Sequence, residues 1–121
     1  MSDDPFERYT AFLENVVDSE YVWTLADERD NPVLGEIEGH RIIPLWARKS
    51  DAEAARYGPW SEDAPLGIHV MDILEGLVPE AQESGLLFSV TRVAGKGQWV
   101  VAPDELERDL RTMLAARPSQ G

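Results

Sequence analysis

Three β-rich segments follow one another in residues 20–46, which read EYVWTLADERDNPVLGEIEGHRIIPLW. Residues 20–26 and 41–46 are rich in β-branched and aromatic side chains, and residues 33–38 alternate in the manner of a half-buried strand. Residues 27–32 have the composition of a turn, and Gly39-His40 favours a tight reversal. The stretch therefore predicts an antiparallel meander of three strands.

The segment before this meander predicts a helix. Asp3 or Asp4 suits the N-cap, and Pro5 suits the first helical turn. Apolar residues then recur at spacings of three and four, which places them on one helical face. These residues are Phe6, Tyr9, Phe12, Leu13, Val16 and Val17. We expect this face to pack into the core.

The segment after the meander predicts further helices and strands. Ser50 and Glu53 fit a capping box at the start of a short helix that Gly58-Pro59 ends. Residues 67–70 predict a brief strand that leads into a helix near Met71. Pro79 either lies within this helix or breaks it, and Gly85 is a candidate C-cap. Residues 86–93 and 98–101 predict a hairpin around residues 94–97, and Pro103 begins the last helix.

The predicted order is α-β-β-β-α-β-α-β-β-α, which is an α+β fold. We expect a mixed, mostly antiparallel sheet flanked by about four helices. The length of 121 residues suits one domain. We place that domain at residues 1–116 and a loose C-terminal tail at residues 117–121.

Acidity is the strongest feature of the composition. The chain has 23 acidic and 11 basic residues, and residues 1–40 hold 11 of the acids against Arg8 and Arg29 alone. The formal net charge of −12 argues against nucleic acid and anionic lipid as partners, because phosphates require cations. It favours a basic partner by electrostatic steering, or it serves only solubility.

The sequence also predicts where the protein resides. Its longest uncharged stretches fall far short of the ~18 apolar residues that a membrane span needs. Residues 1–8 have neither a basic nor an apolar leader region. We therefore expect a cytoplasmic protein without membrane contact.

Motifs for catalysis and metal binding are weak in this sequence. The lack of cysteine excludes disulfides, thiol catalysis and cysteine-ligated zinc. No serine-hydrolase elbow or phosphate-binding glycine loop occurs. A metal site would need His40 and His69 to converge with a carboxylate, and locally hydrogen-bonded histidines are the simpler interpretation. We expect no cofactor.

The four tryptophans suggest packing and one candidate contact residue. Trp23 and Trp99 lie in predicted strands, where we expect them in the core. Trp60 lies in the loop GPWSED at residues 58–63. An indole in such a loop either covers the edge of a core or anchors a partner.

Five short motifs carry a resemblance to a known family. They are Tyr21-Val-Trp23, Ile43-Pro-Leu-Trp46-Ala-Arg-Lys-Ser50 followed by Ala52, Glu53 and Ala55, Ile68-x-Val-x-Asp72-Ile-Leu-Glu75 with Leu77-Val-Pro79, Gly85-Leu-Leu, and Val-Val-Ala-Pro103-Asp-Glu-Leu106. In these motifs the chain resembles the DUF2750 family of small bacterial proteins. The resemblance implies a bacterial, cytosolic protein with a single α/β domain, and it carries over no catalytic residue.

These observations favour a non-enzymatic interaction module over an enzyme. We expect it to bind a basic protein, as small acidic immunity proteins bind toxins, and to be a monomer or a simple homodimer. The candidate contact residues are Asp27, Glu28, Asp30, Glu36, Glu38 and Trp60. The alternative is a small enzyme or metal-dependent hydrolase that uses His40 or His69. An accessory domain for the product of a neighbouring gene is a third possibility.

Overall fold

The computed structural model of the protein describes residues 4–56, 58–93 and 97–116. Its elements are, in chain order, α1 (Pro5–Ser19), β1 (Tyr21–Ala26), β2 (Gly35–Ile37), β3 (His40–Leu45), α2 (Lys49–Ala54), β4 (Ala64–His69), α3 (Val70–Asp72), α4 (Val78–Ser84), β5 (Leu87–Val93), β6 (Gly97–Val101) and α5 (Pro103–Ala116). A 3-10 turn spans Gly58–Trp60, and a π-helical turn, Ile73–Leu77, joins α3 to α4. With α3 and α4 counted as one helical stretch, the predicted order and the α+β class are confirmed.

The strands form one larger and one smaller sheet. The larger has the order β2-β3-β5-β6, in which β3 and β5 are parallel and the other neighbours are antiparallel. The smaller pairs β1 with β4 in antiparallel fashion. The prediction of a mixed, mostly antiparallel arrangement is therefore confirmed.

The predicted meander is wrong in one respect, because β1 does not pair with β2. Trp23 of β1 bridges Trp46, and Gly35 of β2 lies opposite Ile42, both in antiparallel register. Since hydrogen-bonding groups alternate in direction along a strand, positions 42 and 46 face the same edge of β3. The two strands β1 and β2 thus follow one another along that edge, and residues 27–34 form an excursion between them.

A proline explains why the β1–β3 pairing stops after one bridge. The backbones of Trp23 and Trp46 exchange two hydrogen bonds, of 2.8 and 2.7 Å. The next position on that edge is Pro44, which has no amide to donate. The buried Thr24 hydroxyl instead donates to the Pro44 carbonyl at 2.6 Å. The Leu25 carbonyl accepts a hydrogen bond from the Val33 amide in the excursion.

The main core lies between the larger sheet and the helices α1, α4 and α5. Its buried side chains alternate along the strands, as in Ile43 and Leu45 of β3 and Phe88 and Val90 of β5. The predicted apolar face of α1 is confirmed except at Phe6, which is 53% exposed and rests beside Trp99. Burying one such side chain contributes roughly 1.5–3 kcal/mol, so these faces determine how the helices dock.

A second, smaller core joins β1 to α2 and the 3-10 turn. It contains Leu25, Trp46, Ala52, Ala55 and Trp60, with Trp23 and Val33 half-buried against it. Trp46 and Trp60 meet edge to face, with ring centroids 6.4 Å apart. Trp23 and Trp99 both pack against cores and are only half-buried, so their predicted core positions are confirmed in part.

Sequence signals at the helix termini are confirmed for the start of α1, the end of α4 and the start of α5, and are wrong for α2. Asp4 caps α1 by accepting from the Phe6 amide at 2.9 Å, and Gly85 ends α4 with a left-handed φ of 69°. The capping box is wrong, since α2 begins at Lys49 and its N-cap residue, Arg48, makes no side-chain cap bond. Ser50 lies inside the helix, two positions beyond the N-cap that it was predicted to occupy.

The helical stretch contains Pro79, and its hydrogen-bond spacing changes before this residue without ending the helix. The Val78 amide donates to the Ile73 carbonyl, five residues back, in place of the usual four. This wider turn comes directly before Pro79, whose ring would clash with the preceding turn of a regular helix and which has no amide to donate. The helical stretch therefore continues from Val70 to Ser84.

Some predictions fall outside the described residues. These are the cap at Asp3, the hairpin turn at residues 94–96 and the tail at residues 117–121. The short helix predicted to run to about Tyr57 and to end at Gly58-Pro59 ends at Ala54 instead. Within the described ranges, no helix combines the length and the apolar character that crossing a membrane requires.

Candidate functional site

The five predicted acidic contact residues lie along one edge of β3. Asp27, Glu28 and Asp30 belong to the excursion, and Glu36 and Glu38 belong to β2 and to the hairpin turn that follows it. All five are exposed. We refer to these five residues as the acidic edge.

The strand registers bring the two parts of the acidic edge closer than a meander would. In a meander, successive turns open at opposite ends of the sheet, one strand length apart. Here the excursion leaves and rejoins β3 near Ile42 and Ile43, and the hairpin turn ends where β3 begins, at His40. The base of the excursion and the turn are therefore separated by about 10 Å along β3, at ~3.3 Å per residue. This distance is close to one Debye length at physiological salt.

Asp27 is the one member of the acidic edge with a clear structural role. Its Oδ1 accepts hydrogen bonds from the Arg29 amide at 2.9 Å and the Asn31 amide at 3.0 Å. These bonds to the charged form hold the pKa of Asp27 below its usual range, with the Asn31 contact as the larger cause. Asp27 therefore shapes the excursion as well as adding charge to it.

The remaining acidic side chains project from constrained backbone. Asp30 and Glu38 have left-handed φ values of 63° and 49°. Glu38 and Gly39 form the two-residue turn of this hairpin, one position before the predicted Gly39-His40, and His40 is the first residue of β3. Glu36 lies directly across from Arg41, at a spacing that supports a weak cross-strand attraction.

Two cations moderate the charge of the acidic edge. Arg29 lies in the excursion and Arg41 lies in β3, and both are exposed. Five carboxylates thus face two guanidinium groups. Among the described residues, Glu28, Asp30, Glu36 and Glu38 form no ion pair within 4.0 Å. A negative field remains at this edge.

Trp60 covers the edge of the second core, as one of its two interpretations predicted. It is 7% exposed, and its ring lies against Trp46. The ring also lies next to Gly35, since a β-carbon at Gly35 would approach Trp60 Cζ2 to 3.2 Å. Little of this indole is left to contact a partner, and Trp60 is therefore not part of the acidic edge.

His69 is held by local hydrogen bonds. Its Nδ1 accepts from the Met71 amide at 3.1 Å and so caps α3, while its Nε2 lies 3.4 Å from Glu20 Oε1. The Tyr21 ring meets the imidazole edge to face at 5.5 Å between centroids. Both ring nitrogens therefore have partners at the junction between α1, β1 and β4.

His40 lies at the other end of the sheet, as the first residue of β3 after the hairpin turn. The positions of Tyr21 opposite His69 and Trp23 opposite Trp46 place His69 beyond the far end of β3. The two histidines are then separated by roughly 25 Å along the strand direction. They do not converge on a shared metal. In the described ranges, no group of three or more His, Asp or Glu residues is arranged to hold a metal ion.

The sequence analysis missed a cleft between α1 and the segment that joins β3 to α2. Arg8, Ala11, Phe12 and Asn15 form one wall, and residues 46–48 with Asp51 form the other. The cleft encloses about 200 Å³. The spacing of the α1 residues marks a helical face, but only the folded chain brings that face against Trp46.

Comparison with known proteins identifies the family of the chain. A family model described as "Protein of unknown function (DUF2750)" matches residues 9–110, so the chain belongs to the DUF2750 family. No curated protein matches the chain. The resemblance drawn from the sequence motifs is therefore confirmed.

Proposed function

We propose that the protein is a non-enzymatic binding module of the bacterial cytoplasm whose acidic edge recruits a basic protein. The observation that carries the proposal is the placement of five exposed carboxylates along one edge of β3, opposed by only two guanidinium groups. The net charge of −12 extends the same sign of field over the whole molecule. A small immunity protein that neutralises a basic toxin is one form that such a module takes. We expect it to act as a monomer or a simple homodimer.

The acidic edge would speed the encounter more than it would strengthen the complex. Charges at an exposed surface steer diffusion over distances near the Debye length, whereas each exposed pair contributes under about 1 kcal/mol. Reversal of a single acid should therefore have little effect, and reversal of two should lower the association rate. The effect should diminish as salt concentration rises.

The most informative substitutions spare the backbone of the excursion. We would replace Glu28 and Glu38 by lysine together, and keep Asp27 because it holds two amides of the loop. The matched control, Glu14→Lys with Asp18→Lys, changes net charge equally on the exposed side of α1. The control residues lie away from the acidic edge, because α1 leads into the Tyr21 end of β1, whereas Asp27 follows the other end of that strand.

The experiment is affinity capture from bacterial lysate at low and at high salt, followed by kinetics with the purified captured protein. We expect a basic protein that the Glu28→Lys, Glu38→Lys variant loses and the Glu14→Lys, Asp18→Lys variant retains. If both variants lost the partner equally, net charge and not the placement of the acidic edge would govern binding. A partner that is acidic, or that stays bound in concentrated salt, would contradict the proposal.

The alternative of a hydrolase finds less support in the geometry. His69 uses both ring nitrogens in local contacts, and His40 lies exposed at the start of β3, roughly 25 Å from it. A general base needs an imidazole nitrogen that can reach substrate. For this reason the binding function is preferred.

A further inference from the structure

A small apolar pit lies between the excursion and the helical stretch that ends in α4. Leu34 of the excursion and Leu77 of the π-helical turn line its more exposed part. Ile43, Ala81 and Leu86 line its deeper part, and all three are buried members of the main core. We refer to the space between these five residues as the apolar pit. A group that enters the apolar pit therefore reaches the main core itself.

The size of the apolar pit fits one side chain of a partner. Its volume is about 180 Å³, which lies below the ~300–1,000 Å³ of sites for drug-sized ligands. A cavity of ~150 Å³ lined by aliphatic and aromatic side chains is large enough for benzene. The apolar pit therefore has room for a single aliphatic or aromatic side chain, and not for a large cofactor.

The wall that the excursion contributes is held by backbone hydrogen bonds. The Val33 amide donates to the Leu25 carbonyl at 2.9 Å, and the Asp27 amide donates to the Asn31 carbonyl at 3.0 Å. Leu34 follows directly and remains 45% exposed beside the apolar pit. Because this wall is already ordered, a partner would meet a preformed site and lose little free energy in ordering it.

Carboxylates lie on two sides of the apolar pit. Glu80 lines it from α4, and Asn31 lines it from the excursion. Asp30 precedes Asn31 in the chain, and Asp27 Oδ1 accepts from the Asn31 amide at 3.0 Å. The described residues that line the pit include no lysine, arginine or histidine. The complementary ligand is therefore an apolar side chain with cations on either side of it.

We propose that the apolar pit receives a leucine side chain of the basic partner, from a segment in which lysines or arginines flank that leucine. This inference rests on the proposed function, since the flanking cations are those that the acidic edge attracts. Apolar anchors in well-packed pockets carry most of the affinity of an interface, whereas peripheral charges mainly steer the encounter. The apolar pit would thus select among the basic proteins that the acidic edge attracts.

The test is a titration of the methyl-labelled full-length protein with three capped pentapeptides, followed by nuclear magnetic resonance. The first carries leucine between two pairs of lysines, the second replaces the leucine by alanine, and the third replaces the lysines by glutamine. We expect the first to shift the Leu34 and Leu77 methyl signals saturably, with a dissociation constant in the millimolar range that suits a short flexible peptide. The alanine peptide should bind about tenfold more weakly, because less apolar surface is buried.

Substitutions in the protein locate the site. Leu34→Ala shortens one wall of the apolar pit and should weaken the leucine peptide by about fivefold. Leu34 is exposed, so this variant should keep the fold. Met71→Ala is the matched control, because Met71 is similarly exposed and does not line the pit. It should bind the leucine peptide as the original protein does.

The outcomes separate this inference from the function on which it rests. Equal binding of the leucine and alanine peptides, equal weakening in Leu34→Ala and Met71→Ala, or no saturable methyl shift would overturn the role of the apolar pit and leave that of the acidic edge intact. If the glutamine peptide bound as well as the lysine peptide, the requirement for a basic partner would fall, and with it both proposals.

Discussion

Several polar side chains of this protein hold backbone groups that would otherwise lack a partner. Thr24 donates to the carbonyl of a proline, Asp27 accepts from two loop amides, and His69 accepts from an amide at a helix start. Each of these residue types also occurs in binding and catalytic sites. In this protein each of them satisfies a local hydrogen bond, and that bond explains its position without a role in binding or catalysis.

The contact between Tyr9 and Asp109 gives a prediction at the scale of single residues. The buried Tyr9 hydroxyl donates to Asp109 Oδ2 at 2.7 Å and ties α1 to α5. Tyr9→Phe should lower the free energy of unfolding by about 1–3 kcal/mol, because a hydrogen bond to a charged group is lost. Urea denaturation measures the loss. Asp109→Asn keeps an acceptor and should cost less; an equal or larger cost would contradict this account.

The same pair predicts a pH dependence. Burial, and then the hydrogen bond to Asp109, raise the pKa of Tyr9 well above its usual value of about 10. A pKa raised by folding means that its contribution to stability is complete below about pH 10 and is lost as pH rises further. Between about pH 9 and pH 11 the original protein should lose more stability than Tyr9→Phe. Parallel losses in the two proteins would contradict the prediction.

At the scale of elements, local sequence patterns predicted which helices and strands the chain forms and in which order they occur. The apolar spacing of α1, the glycines of the hairpin turn and of the α4 C-cap, and the proline that begins α5 each act over a few residues. Interactions between residues close in sequence determine such features, so they can be predicted from a single sequence. The exception is Phe6 in the first turn of α1, which is exposed and lies beside Trp99 of β6.

Pairing of strands could not be predicted in the same way. A strand with apolar side chains is compatible with several neighbours, and β1 pairs with β4, from which 37 residues separate it in the sequence. The alternation of residues 33–38 indicated a strand but gave no information about which edge it occupies. The capping box failed because α2 starts at Lys49, two residues before the start that an N-cap at Ser50 implies, and Ala52 and Ala55 pack into the second core.

The seam between β1 and β3 yields a prediction at this scale. Thr24→Val keeps the shape of the side chain and removes the donor to the buried Pro44 carbonyl. It should lower the free energy of unfolding by about 1–3 kcal/mol, the penalty for an unpaired buried polar group. Thr24→Ser retains the hydroxyl and loses only a methyl group, about 1 kcal/mol. Urea denaturation compares the two, and a valine variant as stable as the original would refute the role of this bond.

At the scale of the whole molecule, charge could be predicted from sequence but its arrangement could not. The five acids of the acidic edge were visible as two groups, and only the successive placement of β1 and β2 brought them to one edge. The cleft with Arg8 and Arg48 depends on contacts between residues about 40 positions apart. Such contacts leave no periodic pattern in the sequence.

The net charge of −12 leads to the last prediction, which concerns stability and salt. At about 10 mM salt the Debye length is roughly 30 Å, so most charges of a chain this size repel one another, whereas at about 150 mM it is roughly 8 Å. Repulsion is stronger in the compact state than in the unfolded chain. The free energy of unfolding by urea, which is uncharged, should therefore rise with sodium chloride over this range. The Glu14→Lys, Asp18→Lys variant should show a smaller rise, and the charge-conserving Glu14→Asp, Asp18→Glu variant should match the original. A flat or falling dependence in the original protein would mean that its acids are balanced locally and that no molecule-wide field exists.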